Sequence, residues 1–326
     1  MTDRPDPEFI RALPKAELHM HLEGALEPEL LFAFAERNDV TLGWRTVEEL
    51  RGAYEFHSLQ PFLDLYYEGC RVLCHERDFY DLTRAYLARA HADGVRRAEI
   101  SLGPQSFLGR EFTIGDYLGG VLRAIDDAAA EDGISAGIIV TAQRQRTERE
   151  AFDQLDAVLP WGDRIAGFGL AGAEAGHPPS KFAGYFAELR RQGFRTCAHA
   201  GEEGPASYVR EAVEILGVDR VDHGIRAMDD PGLVEDLARA RIPITVCPLS
   251  NVRLKGVPSL AQHPLPAMLA AGLNISVNSD DPAYFGGYIG DNYAACADPL
   301  GLTRADLETL AANSLRASFL PHQPPD

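Results

Sequence analysis

Residues 195–224 read RTCAHAGEEGPASYVREAVEILGVDRVDHG. A short apolar run, Arg195–His199, is followed by apolar residues at helical spacing over Gly204–Leu216. Gly217 stands where that helix should stop, and a second short run, Arg220–Asp222, begins at once. Strand, helix and strand in about thirty residues read as a parallel βαβ unit. The same rhythm extends both ways. Further strands are expected at Glu17–Leu22, Arg96–Leu102, Ser135–Thr141, Ile165–Leu170, Ile244–Cys247 and Asn274–Val277, eight in all. Gly193 and Gly272 fall at other helix ends, and Asp229-Asp230-Pro231 supplies an acidic N-cap and a first-turn proline. Eight strands alternating with helices predict an α/β chain closed into a (β/α)8 barrel.

The stretch 29–76 breaks the rhythm. It is helical in pattern, rich in aromatic residues, and lies between the first and second strands, so it reads as a helical insertion over the barrel mouth, a lid. No repeats or linkers interrupt the chain, and 326 residues suit one domain of this kind, spanning 1–326. The net charge of −18 opposes binding to nucleic acid or anionic membranes. Five scattered cysteines do not read as a disulfide framework, Cys70 and Cys74 being expected on one helical face. No signal peptide or 18-residue apolar stretch is present, which together with the cysteines predicts a cytoplasmic protein.

Polar residues collect at the strand ends, where barrels place their chemistry. The first strand ends His19-Met20-His21, the fifth His199-Ala200-Gly201-Glu202, the sixth Asp222-His223-Gly224, and the eighth runs into Asn278-Ser279-Asp280-Asp281. In a strand, alternate side chains share a face, so His19 and His21 point the same way. With His199 and Asp280 they offer three nitrogens and one carboxylate oxygen, a donor set for one catalytic Zn2+ with a position left for water. Hydrolysis at such a centre needs groups that move protons. Glu202 is the candidate acid toward a ring nitrogen, and His223 the candidate base or electrostatic partner. Glu203 should face away from Glu202 and be structural. Asp281 diverges from Asp280 and can meet a purine imidazole nitrogen, while Gly172 lets a backbone N–H approach a flat heterocycle. The cytidine-deaminase pattern is incomplete, because His21-Leu22-Glu23 has no P-C-x-x-C to follow it. His57, His75, His91, His177, His263 and His322 lack metal-competent company.

These blocks resemble the adenosine/adenine deaminase family of the amidohydrolase superfamily. The resemblance runs from Leu13–Gly24 through HAGEEG (199–204), RVDHGIR (220–226), CPLSN (247–251) and VNSDDPAYFGGY (277–288) to Asn313-Ser314. It implies a barrel with one zinc held by His19, His21, His199 and Asp280. It further implies that Glu202 is the proton donor, His223 the catalytic histidine, Asp281 the contact to purine N7 and Gly172 the contact to N3. Within the family, HLEGALEPELLFAFAERN, DFYDLTRAYLARA, HPPSKF and NSDDPAYFGGY resemble the adenine-acting branch. The segments Gly103–Phe107 and Gly169–Glu174 depart from it.

The expected activity is hydrolytic deamination of a 6-aminopurine, adenine foremost, to hypoxanthine and ammonia in purine salvage. Adenosine, an N6-substituted adenine and an aminofutalosine-like nucleoside remain open as substrates, as does a non-purine amide or amidine. A non-catalytic purine-binding protein is the reading that loss of a ligand would favour, and all four ligands are present.

Overall fold

The computed structural model describes residues 5–321 except residue 111, so His322 lies outside the described residues. Eight strands alternate with helices: β1 (Lys15–His21), β2 (Val95–Leu102), β3 (Ser135–Gln143), β4 (Ile165–Ala171), β5 (Cys197–Ala200), β6 (Arg220–His223), β7 (Pro243–Val246) and β8 (Asn274–Val277). Strands β1 to β4 pair in parallel order, as do β5 to β8. Two single bridges join these sheets into a ring, Phe168 to Thr196 between β4 and β5, and Met20 to Asp280 between β1 and β8. The barrel expected from the alternation is thus closed.

The strand runs are buried on both faces, one against the helices and one within the barrel, which accounts for their near-continuous apolar character. Inside the barrel sit a few paired charges. Arg220 donates to Glu99 at 2.7 Å and to the Leu18 carbonyl at 3.0 Å, all away from water. The β1–β8 closure falls at the site residues themselves. His21 N–H donates to the Asp280 carbonyl at 2.9 Å, and Asp280 N–H donates to the His19 carbonyl at 3.0 Å. Asp280 adopts a left-handed φ of +66° to make this turn, a conformation that a non-glycine residue keeps only where its surroundings impose it.

The Gly204–Leu216 stretch is a helix over Ala206–Glu211 that widens into a π-turn over Ala212–Leu216 before Gly217 at φ +64°. The insertion is helical at Pro28–Arg37, Val47–Gly52 and Leu59–Gly69. Of these three, only Leu59–Gly69 contributes side chains to the lining of the central pocket. Glu203 accepts a hydrogen bond from the N–H of Leu59 at 3.3 Å, which caps this helix because Ser58 makes no side-chain cap. Near the other end Tyr66 donates to buried Glu23 at 3.1 Å, and Tyr117 donates to the same carboxylate. Cys70 and Cys74 do not share a helical face. The helix ends at Gly69, and Cys74 lies in the following loop with its thiol on the Arg71 carbonyl. Among the described residues no helix is long and apolar enough to cross a membrane.

Candidate metal centre and active site

The ends of β1, β5 and β8 bring His19, His21, His199 and Asp280 to one point. His199 Nε2 lies 3.1 Å from Nε2 of both His19 and His21, and Asp280 Oδ1 lies 3.4 and 3.5 Å from those two. Ligand atoms bonded to one ion at ~2.0–2.1 Å stand roughly 3–4 Å apart, so the four donors can share a single ion. The surroundings fix each donor. The His19 Nδ1 side faces Thr245 Oγ1 at 3.1 Å, and that hydroxyl donates to Asp222 at 2.8 Å. His199 Nδ1 lies 3.5 Å from Asp222 Oδ2, and Ser250 donates to Asp280 Oδ2 at 2.6 Å. These contacts turn the Nε2 atoms and Oδ1 inward, the arrangement that outer-shell partners impose on metal-ligating imidazoles.

Charge at the centre favours a cation. Against the cost of burial, Asp222 and Asp280 raise the affinity of His19 for a proton, so the local field is negative. Burial and then the neighbouring His199 push His21 down to about 3, which leaves its lone pair free. Asp280 is held well below the usual carboxylate range by His19, His223 and His21, despite its burial.

Glu202 and His223 stand beside this cluster. Glu202 Oε2 is 3.4 Å from His223 Nε2, and His223 Nε2 is 3.9 Å from Asp280 Oδ2. Burial, followed by the charges of Asp280 and Glu174, raises the Glu202 carboxyl well above its ordinary range, which favours its protonated form. Burial and then His19 push His223 far down, which keeps its imidazole neutral. His223 also takes a left-handed φ of +65°, turning its ring toward the metal ligands. The pocket in front is lined by His21, His199, Glu202, His223, Asp280 and Asp281 on one side and by Phe62, Tyr66 and Tyr67 on the other. Asp281 closes one side. Among the described residues its buried Oδ1 has no hydrogen-bond partner, and a Cβ on Gly24 would stand 2.0 Å from that atom, so the glycine makes its room. Burial and the adjacent Asp280 raise the Asp281 carboxyl, an effect that a hydrogen bond from a ring N–H would reverse. Gly172, at φ +94°, lines the pocket after β4.

Of the expected site residues, His21, His199, Asp280, Glu202, His223, Asp281 and Gly172 line one pocket, and His19 stands behind them in the ligand cluster. Sequence reasoning missed the groups that hold them. Glu174, fully buried, accepts four backbone hydrogen bonds, from Gly201, Glu202, Glu203 and Gly204, at 2.7, 3.0, 2.8 and 2.8 Å. Buried Arg144 lies 3.8 Å from it and donates to the His199 carbonyl at 2.7 Å. A lone charged residue closing a glycine-rich loop was the signal for Glu174; its partners are 27 to 30 positions away, beyond any local pattern.

Known proteins agree with this geometry. A family model described as adenosine deaminase matches residues 14–324. An adenine deaminase of Rhodopseudomonas palustris is 55% identical over 96% of this chain and 91% of its own. The crystal structure of adenine deaminase from Arthrobacter aurescens superposes with a TM-score of 0.93 at 51% identity, covering 95% of each chain. An amidohydrolase from Burkhoderia ambifaria with bound Zn gives a TM-score of 0.88 at 30% identity, over 97% of this chain and 88% of that one.

Proposed function

The chain belongs to the adenosine deaminase family, and from that premise we propose that it hydrolyses adenine at C6 to give hypoxanthine and ammonia. The observation that carries the reading is the convergence of four ligand atoms beside Glu202 and His223 at one pocket. His19, His21, His199 and Asp280 are assigned as ligands of a single Zn2+. The three imidazole nitrogens and one carboxylate suit zinc, and the 30%-identical amidohydrolase has Zn bound. Zinc, when bound, polarises a water and brings its pKa toward ~7.

This chain's residues then do the rest. Glu202 places a proton on N1, drawing electrons from C6. Neutral His223 accepts toward the water and orients its lone pair to C6. A C6–O bond forms and the C6–N6 bond breaks; of the two water protons, one ends on N1 and the other leaves with the amine. Asp281 holds the N7 side and the Gly172 N–H meets N3. The Leu59–Gly69 helix excludes bulk water from this side of the pocket, which strengthens each of these polar contacts. One domain spanning the chain, with 29–76 as its lid-bearing insertion, is part of the same reading.

The test is metal content together with release of ammonia from adenine, adenosine and an aminofutalosine, and of methylamine from N6-methyladenine, side by side. Adenine is expected to be turned over fastest. Absence of both amines in all four reactions refutes the reading. Glu202→Gln should keep its zinc and lose on the order of 10²–10⁴ in kcat; full turnover in that variant would remove the acid role.

A further inference from the structure

Around the barrel from the metal ligands, the pocket wall is built by Gln143 at the end of β3, Ser106 in the loop after β2, and Tyr67 of the covering helix. Their hydrogen bonds have a fixed direction. Arg146 Nε donates to Gln143 Oε1 at 2.8 Å. A guanidinium cannot accept, so the Gln143 amide must keep its oxygen toward Arg146 and its NH2 toward the pocket. That NH2 donates to Ser106 Oγ at 2.9 Å and to the Tyr67 hydroxyl at 3.3 Å. Ser106 Oγ is thereby an acceptor within the protein, and among the described residues no group accepts its own hydrogen. The hydroxyl hydrogen is left for whatever fills the pocket.

The order of groups round the rim says which atom that is. Passing from β5 through β4 and β3 to β2, one meets Glu202, Gly172, Gln143 and Ser106, and Asp281 follows β8 beyond β1. The nitrogens round a purine, starting beside C6, run N1, N3, N9, N7. With Glu202 on N1, Gly172 on N3 and Asp281 on N7, the corner at Ser106 and Gln143 faces N9.

We propose that Ser106 donates its hydroxyl hydrogen to N9 of a free 6-aminopurine base and that Gln143, fixed by Arg146, holds it in that sense. This rests on the deaminase reading above and sharpens its substrate class. A bare N9 means that the imidazole proton sits on N7, where the unpartnered Asp281 Oδ1 can accept it. A nucleoside has no N9 lone pair to offer and carries its sugar into the braced Ser106–Gln143–Tyr67 wall. Ser106 is thus a specificity-determining residue that touches substrate, and Gln143 a positioning residue.

Two product-like ligands test this on the metal-loaded protein, as competitive inhibitors of ammonia release from adenine. Hypoxanthine can present N7–H with a bare N9; 9-deazahypoxanthine keeps N7–H and has C–H in place of N9. The unaltered protein should bind hypoxanthine about tenfold more tightly, the worth of one hydrogen bond with the donor otherwise stranded. Ser106→Ala should bring the ratio near one by weakening hypoxanthine alone. Gln143→Glu keeps its pairing with Arg146 but can only accept, so it draws the Ser106 hydrogen away and should also abolish the ratio, with an unchanged melting temperature showing that the fold is kept. A ratio that survives Ser106→Ala, or an equal loss for both ligands, overturns the proposal while leaving adenine turnover standing. An unaltered protein that releases no ammonia from adenine overturns both readings together.

Discussion

Replacing Glu174 by glutamine tests whether a buried carboxylate outside the reacting groups sets the position of Glu202. Oε1 accepts from Gly201, and Oε2 from Glu202, Glu203 and Gly204. An amide has one oxygen. In its better orientation it keeps the three contacts at Oε2 and turns an N–H toward the N–H of Gly201. The variant therefore loses at least one charge-assisted hydrogen bond, worth about 1.5–3 kcal/mol, and strands a buried donor at about 1–3 kcal/mol more. It also removes the carboxylate that lies 3.8 Å from buried Arg144. A total near 3 kcal/mol is a conservative sum. Unfolding entropy of ~2.1 cal/mol/K per residue makes that about 4–5 °C in melting temperature for a chain of 326 residues. The larger effect should fall on catalysis, because the loop 201–204 carries Glu202, and a displacement of ~1 Å can cost 10²-fold. His199 lies in β5, ahead of the loop, so zinc content should stay near one per chain. Melting by calorimetry, metal by mass spectrometry and steady-state ammonia release measure the three quantities. A variant with kcat within twofold of the parent and an unchanged melting temperature would refute the reasoning. Loss of zinc would refute it differently, by showing that Glu174 serves the metal ligands instead of the acid.

Three other perturbations follow from particular contacts. Gly172→Ala forces a side chain onto a φ of +94° and sets its Cβ 2.3 Å from Gln145 Oε1, so KM for adenine should rise by about tenfold; an unchanged KM would show that the N–H of residue 172 is not a substrate contact. Glu203→Ala removes the cap on Leu59 and should raise KM more than it lowers kcat, because it loosens the covering helix without touching the reacting groups; a pure kcat effect would count against that. His263 accepts from the Leu265 N–H at 3.1 Å and so donates through Nε2 to Asn251, and burial pushes it down to about 4. Its folded pKa lies below the ordinary value of 6.5, so the unfolded chain binds more protons between those pH values. The stabilisation is complete above pH ~6.5 and is lost progressively as pH falls toward ~4, about 3 kcal/mol over the window. Urea unfolding at pH 4.5 and 6.5 should show a smaller pH difference in His263→Phe than in the parent; equal differences would sink the assignment.

His263 shows how far residue type alone can be read. It lacks metal-competent company in the sequence, and only the fold gives it two hydrogen-bond partners. Strand positions were legible because parallel barrel strands are short apolar runs between helices of a different period, and the observed bounds lie within two residues of the expected ones. The β5 strand begins at Cys197 instead of Arg195 because residues 195–196 bridge to β4. Which helix of the insertion lines the pocket was not legible. Helical spacing and aromatic residues describe the whole of 29–76 equally, and only packing selects Leu59–Gly69 as the part over the pocket.

The amino-acid sequence by itself determined the alternation of elements and the residue types at each strand end, because period and donor chemistry are local properties carried by neighbouring positions. The tertiary structure alone decided which distant groups hold those residues in place. Glu174 under the 201–204 backbone, Asp222 and Thr245 behind the histidines, Ser250 on Asp280, and Arg146 behind Gln143 are such groups. A hydrogen bond is fixed by distance and direction in space. When its partners lie on different strands of a closed ring, no spacing along the chain encodes it.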